Sequence, residues 1–410
     1  MNTPNIRFKG FAEAWEQRKF EDYYKMLSGY AFKYQDYCEN GVPLINGESI
    51  QHGKIDDHNL NNLPSSFVND YPDFVLHEKD IVVGLNRPIT NGNLKIARIP
   101  SDYEGALLYQ RAGKIQYKKD IDIDFSYILL AQQIMNFTSR EAVGSDQPFI
   151  STSKLNKWKI SIPSNKDEQA KIGSFFMNFE NLITLHQRKC DSLNAVKKYM
   201  LQKMFPQNGA KVPEIRFKGF TGDWEQRRLG DVCERVQGND GRMDLPTLTI
   251  SAANGWMSQE DRFFGNIAGK EQKNYTLLHR GELSYNHGNS KLAKYGTVFS
   301  LETFEEALVP RVYHSFRMTS GNASFIEYYF ATKILDKELA KLISSGARMD
   351  GLLNIGFYDF MGINIIIPST EEQARISEYL RSLDNLITLH QRKVDSLKEL
   401  KKFMLQNMFP

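Results

Sequence analysis

Two long stretches of this chain carry apolar or interface-compatible residues at alternating spacings of three and four. The first runs Phe176, Phe179, Ile183, His186, Cys190, Leu193, Lys197, Met200 and Met204. The second runs Leu380, Leu383, Ile387, His390, Val394, Leu397, Lys401, Met404 and Met408. That alternation keeps one stripe of a helix facing a neighbour, as in a coiled-coil seam. Ser164-x-x-Asp167 and Ser369-x-x-Glu372, each one residue beyond a proline, resemble capping boxes and predict where the helices begin. Phe205-Pro206 and Phe409-Pro410 end them. Between these signals lie roughly 38 residues, on the order of 55 Å at the helical rise, interrupted only by Gly173. A stripe of that length cannot be buried by its own helix. The two helices are therefore expected to pack on each other, antiparallel because a duplicated chain most naturally places its halves about a pseudo-two-fold axis, and two helices each lying on a separate domain is the alternative.

The segments between the helices alternate differently. Asp80–Val83 and Glu282–Tyr285 read as strands, Phe125–Phe137 and Phe325–Ile343 as helices, and Lys157–Ile162 and Gly362–Ile367 as closing strands. The order of elements agrees although the letters do not. The expected class is α+β: two similar mixed α/β globular domains separated by two long repeated helices, with pseudo-two-fold symmetry. The divisions fall at 1–162 for the first domain, 163–206 for the central helix, 207–367 for the second domain and 368–410 for the C-terminal helix.

Internal repetition supports that division. Ile6-Arg-Phe-Lys-Gly-Phe11 returns as Ile215-Arg-Phe-Lys-Gly-Phe220 and Trp15-Glu-Gln-Arg18 as Trp224-Glu-Gln-Arg227, at an offset of 209. Asn181-Leu-Ile-Thr-Leu-His-Gln-Arg-Lys189 recurs without change at Asn385 to Lys393, an offset of 204. Each half thus has the same opening and the same close around a middle of its own. Duplicated surfaces suit two copies of one partner.

Composition narrows the function. With 41% hydrophobic and 25% charged residues in 410, the chain is an ordinary globular protein large enough for more than one core. It has neither a leader-like start nor an apolar run long enough to span a bilayer, so the expected location is the cytoplasm. Cys38, Cys190 and Cys233 are widely spaced and form no thiolate metal motif. A net charge of +3 permits nucleic-acid binding and is too small to neutralise many phosphates unless the charge is focused or a partner adds more.

Signals for catalysis are thin. Gly265-Asn-Ile-Ala-Gly269-Lys270 falls one residue short of a phosphate loop and is followed by Glu271 where Ser or Thr should stand. Pro72-Asp73 with Glu78-Lys79 lacks the spacing of a metal nuclease, and the eight histidines do not cluster. No catalytic residue, metal ligand or cofactor is assigned to this chain.

What the middles offer instead is a polar, Gly-punctuated loop after the first predicted strand of each domain. Its candidates are Arg87, Thr90, Asn91, Asn93 and Lys95 in the first domain, and Asn286, His287, Asn289, Ser290, Lys291, Lys294 and Tyr295 in the second. A further surface precedes each closing strand, with Ser145 and Gln147 in one half and Arg348 in the other. Arg and Asn fork onto purine edges, which suits Arg87 and Asn286; Lys and Ser bind phosphates, which suits Lys95 and Lys294. Asn and Gly also make ordinary turns.

The twin openings, Phe8-Lys-Gly-Phe11 with Trp15-Glu-Gln-Arg18 and Phe217-Lys-Gly-Phe220 with Trp224-Glu-Gln-Arg227, and the twin closes from Glu168-Gln169 to Pro206 and Glu372-Gln373 to Pro410, closely resemble the specificity subunit of type I restriction-modification systems. The resemblance implies that each middle is a target recognition domain reading one half of a split, asymmetric site on double-stranded DNA, with the coiled coil setting the gap. It implies two adenine-N6 methyltransferase subunits using S-adenosylmethionine, and motor-nuclease subunits using ATP and Mg, so that the chain itself is not an enzyme. A coiled-coil scaffold protein or a DNA nuclease are the alternatives.

Overall fold

The structure, a computed structural model, describes residues 3–58, 60–141, 148–263, 269–288, 290–343 and 352–410. It resolves into two compact units, one of residues 1–185 with 393–410 and one of residues 186–392. The division cuts across both long helices, so each unit owns a domain plus a portion of each helix.

In the first unit an antiparallel sheet runs in the order Ile96–Arg98, Ile81–Gly84, Ala112–Tyr117, Tyr24–Ser28. In the second the order is Thr297–Ser300, Leu283–Asn286, His314–Met318, Cys233–Arg235. The connectivity is the same. Each unit also pairs the strand after its opening tryptophan with its closing strand: Glu16–Lys19 with Lys159–Ile162, and Glu225–Arg228 with Asn364–Ile367. The expected helix at 325–343 is two pieces, Ala323–Ala331 and Asp336–Lys341, because the chain turns through Lys333 at φ +66°, which a continuing helix cannot accommodate.

The long helices are Lys166–Lys203 and Thr370–Met408. Every seam position predicted from the 3,4 spacing is buried or half-buried. Within the first unit Lys401 bonds Glu180; within the second Lys197 Nζ lies 2.5 Å from Asp384 and Cys190 Sγ 3.8 Å from the Ile387 carbonyl. As one helix advances the other retreats, so both unit portions are antiparallel. His186 and His390, equivalent positions of the repeat, meet at 2.9 Å between their Nδ1 atoms.

One helix start differs from expectation. Asn165, not Ser164, caps the central helix, accepting from the Asp167 and Glu168 N–H groups at 2.8 and 3.2 Å. Ser369 caps the second by accepting from Glu372 N–H. Neither Glu closes a capping box, because each is spent on the repeated Arg. Glu168 takes two bonds from Arg7 (2.6 and 2.8 Å), and Glu372 takes two from Arg216 (both 2.7 Å); each carboxylate is 1% exposed. Next to each, Gln169 and Gln373 donate to the carbonyls of Pro163 and Pro368.

These clamps sit on matching aromatic cores. In the first unit Trp15 packs on Phe125 and Phe409, at 6.0 and 5.6 Å between ring centres. In the second Trp224 packs on Phe325 and Phe205, at 5.8 and 6.1 Å. The opening segment also hydrogen-bonds to a helix end, Ile6 N–H to Asn407 O and Ile215 N–H to Lys203 O. The repeated letters are thus the residues that weld domain to helix pair.

Candidate nucleic-acid interface

In the first domain the loop after Ile81–Gly84 is a hairpin. Ile89–Thr90 pairs with Asn93–Leu94, and Asn91 (φ +50°) and Gly92 (φ +76°) make the two-residue turn. Positive φ at both central positions defines the type I′ turn whose twist matches the strands, and Asn-Gly is its preferred pair. Thr90, Asn91 and Asn93 are exposed at the tip. Arg87 and Lys95 stand at its base, where Lys95 N–H donates to Pro88 O at 2.7 Å.

The base of the hairpin opens onto a cleft of about 370 Å³. Arg87, Lys95 and Arg111 bring three positive charges to its wall and Glu48 one negative; Asn46, Asn61 and Asn86 add amides, and Tyr37 and Tyr109 aromatic faces. Lys95 is 9% exposed. Its stem lies against Gly84, where an added Cβ would come within 3.0 Å of the Lys95 side chain. Burial is the main cause that pushes its ammonium below the ordinary lysine range; Arg87 pushes the same way and Glu48 opposes.

The second domain presents its loop differently. His287, expected at the interface, is buried at 3%. Its Nδ1 and Nε2 face the carbonyls of Leu353 and Val312 at 2.6 and 2.8 Å, and its ring stacks on His314 at 4.8 Å. It is a core residue, removed from contact with a duplex. Asn286 is half-buried and spends its amide internally, donating to Ile250 O and accepting from Gly288 N–H. Tyr295 is also half-buried, and its carbonyl accepts from Tyr285. The exposed tip is Ser290, Lys291, Leu292 and Lys294, with Lys294 Nζ 5.4 Å from the Tyr295 ring centre.

In both domains the described residues that follow the second selected segment lie beside the loop after the central strand. Asn86 bridges to Phe149, and Arg87 N–H donates to Pro148 O at 2.8 Å; Gly288 bridges to Leu352, and Leu353 N–H donates to His287 O at 2.8 Å. Ser145, Gln147, Asn289 and Arg348 lie outside the described residues, as does most of the loop from Gly265. Tyr37, Asn46, Asn61, Tyr109 and Arg111 were not legible as site residues. They come from separate strands and turns and share no local motif.

The model of the type I restriction modification DNA specificity domain matches residues 12–195 and again 221–399. The chain belongs to this family. Among its relatives, the type I restriction enzyme MjaVIII specificity subunit of Methanocaldococcus jannaschii is 35% identical over 191 residues, 46% of this chain and 45% of that one. The EcoAI specificity subunit of Escherichia coli is 31% identical over 144 residues, 35% of this chain and 24% of that one. The matched part thus spans less than half the length of either relative. The crystal structure of a type I restriction-modification S subunit from M. genitalium covers 100% of this chain and 99% of its own, with a TM-score of 0.62 at 14% identity. That likeness extends the specificity-subunit fold over the full length. Among the described residues no helix is long and apolar enough to cross a membrane.

Proposed function

We propose that this chain is the DNA-reading specificity subunit of a type I restriction-modification complex. Each domain reads one half of an asymmetric bipartite site, and the helix pair sets the spacer. The observation that carries this reading is the combination of one sheet topology with two unlike polar tips, Thr90–Asn93 and Ser290–Lys294, held between repeated helices. A scaffold would gain nothing from domains of one fold with divergent tips. DNA repeats about every 34 Å, so a helix pair of fixed length converts into a fixed number of unread base pairs. Methyl transfer and ATP-driven restriction belong to partner subunits carrying S-adenosylmethionine, ATP and Mg.

Two copies of a methyltransferase subunit fit the duplicated surface. Leu185 and Leu389 are equivalent in the repeat and 62% and 53% exposed; Tyr199 and Phe403 are a second such pair, at 50% and 52%. Large apolar groups exposed at repeated positions suit a repeated partner. The test is to map N6-methyladenine in DNA from cells expressing this chain with its partners, before and after replacing residues 20–158 by the matching segment of another family member. The expected result is a two-part asymmetric motif of which the swap changes one half only. A palindromic motif, or a swap that alters both halves, overturns the reading.

A further inference from the structure

Lys95 is 9% exposed because its stem is covered by the fold, while its ammonium reaches the open cleft. Among the described residues, Lys95 Nζ makes no hydrogen bond or ion pair, and the same holds for the guanidinium groups of Arg87 and Arg111. All three line one cleft against the single carboxylate of Glu48. The backbone makes room for this arrangement: Gly84 lets the Lys95 stem pass, and Gly47 lies so close to the Arg111 carbonyl that a Cβ there would come within 2.5 Å.

We propose that this cleft is the seat of one phosphodiester group of the bound DNA, held by Lys95, Arg87 and Arg111. The inference rests on the DNA-reading function and deepens it by naming the anion and its ligands. Shape decides between a phosphate and a base edge. Base edges form the floor of a groove and are reached by a protruding element such as the Asn91-Gly92 tip, whereas phosphates project from the duplex and enter a recess. Arg87 and Lys95 flank the hairpin at its two feet, so one seated strand puts the tip over the neighbouring groove. Arg87, assigned to base edges by residue type, thus becomes a backbone contact. An anion in the cleft also offsets the partial desolvation that pushes the Lys95 ammonium below the ordinary lysine range.

The experiment measures binding of the full chain, assembled with its partners, to cognate and random duplexes across a KCl series, for wild type, Lys95→Met and Arg111→Gln. Each variant should make the slope of log K against log salt shallower by about 0.9, equally on both duplexes, leaving their affinity ratio within about twofold. A methylphosphonate scan of the cognate half-site should find one linkage that weakens wild type and leaves Lys95→Met unaffected. Arg111 lies at the surface, so its variant carries the test if Lys95→Met fails to fold. Unchanged slopes in Arg111→Gln and in folded Lys95→Met, with wild type still selective, overturn the phosphate seat and spare the DNA-reading function. Lost discrimination at an unchanged slope makes the cleft a base reader and overturns the proposal likewise. Wild-type binding without preference for any site overturns both.

Discussion

Replacing Glu168 by Ala, in parallel with Glu372 by Ala, tests how the repeated letters weld domain to helix. Each carboxylate is 1% exposed and receives two charge-assisted hydrogen bonds from a guanidinium that is itself largely covered, 12% exposed for Arg7 and 15% for Arg216. Removing one partner of such a pair leaves an uncompensated buried charge and costs about 3 to 5 kcal/mol. The two clamps differ in what remains. Arg216 Nη1 still donates to Gly222 O at 2.6 Å and its Nη2 to Thr221 O at 3.4 Å, while Arg7 Nη1 is buried without a partner. The cause is one residue: Gly222 holds φ +82°, and its repeat equivalent is Glu13, which does not enter that region. Glu168 also accepts from Trp15 Nε1 at 3.4 Å, whereas Trp224 Nε1 is buried without a partner, so Glu168→Ala loses one more bond to charge and should cost more than Glu372→Ala, by about 1.5 kcal/mol. Hydrogen exchange read by mass spectrometry at 6–8 with 166–172, and at 215–217 with 370–376, reports each unit separately, which a single melt of a two-unit chain does not. Opening should become more frequent by about a hundredfold or more in the first unit. Arg7→Met with Glu168→Leu should recover most of the loss, because an apolar pair needs no desolvation of charge. A loss below about 1 kcal/mol at Glu168, or a larger loss at Glu372, would refute the assignment of these clamps.

Three further outcomes are expected. Burial raises the Glu327 carboxyl above its ordinary 4.5, opposed by hydrogen bonds from Ser300 N–H and Oγ. The folded state then holds that proton to higher pH than the unfolded chain, so Glu327 lowers stability as pH climbs from 4.5 through its raised folded value. Glu327→Gln should raise the urea midpoint of the second unit at pH 7 and flatten its dependence across that window; a lower midpoint at pH 7 would contradict this. Replacing His186 and His390 together by Leu should stabilise the helix pair by about 1 to 2 kcal/mol, because Leu suits a seam position, whereas His390→Leu alone strands the His186 ring and should destabilise it. Denaturant midpoints of the three variants decide that order. Leu185→Lys with Leu389→Lys should leave the melting temperature within about 2 °C and abolish co-purification of the methyltransferase subunit, since exposed substitutions rarely affect folding. Undiminished co-purification would move the docking surface elsewhere.

The helix pair was legible because burial along a helix recurs with the turn. Phe176 to Met204 and Leu380 to Met408 carry that recurrence in their letters, and a seam of this kind needs no distant information. That the two halves share one opening and one close was likewise written in the repeats, whereas the packing of Ile6 and Trp15 on Asn407 and Phe409, the close of the other half, was not. Boundaries were less so: Ser164 competes with Asn165 for the cap, and the choice follows from backbone placement that the letters do not encode. The continuous helix expected through Lys333 failed for the same reason, a local φ that tertiary packing imposed.

The interface divides along the same line. Asn91-Gly92 specifies its own turn, so the hairpin tip was recoverable as a candidate from neighbouring residues alone. Whether a polar residue near it faces solvent was not. His287 and Lys294 look alike in sequence, yet one is sealed by two backbone carbonyls and the other is exposed. The cleft needed the fold outright, since Tyr37, Lys95 and Arg111 meet only where separate strands converge. Periodicity and turn chemistry act over a few residues and are fixed by the chain. Which charges share a recess, and which lose their water, depends on contacts between residues far apart in sequence, and tertiary structure alone decides it.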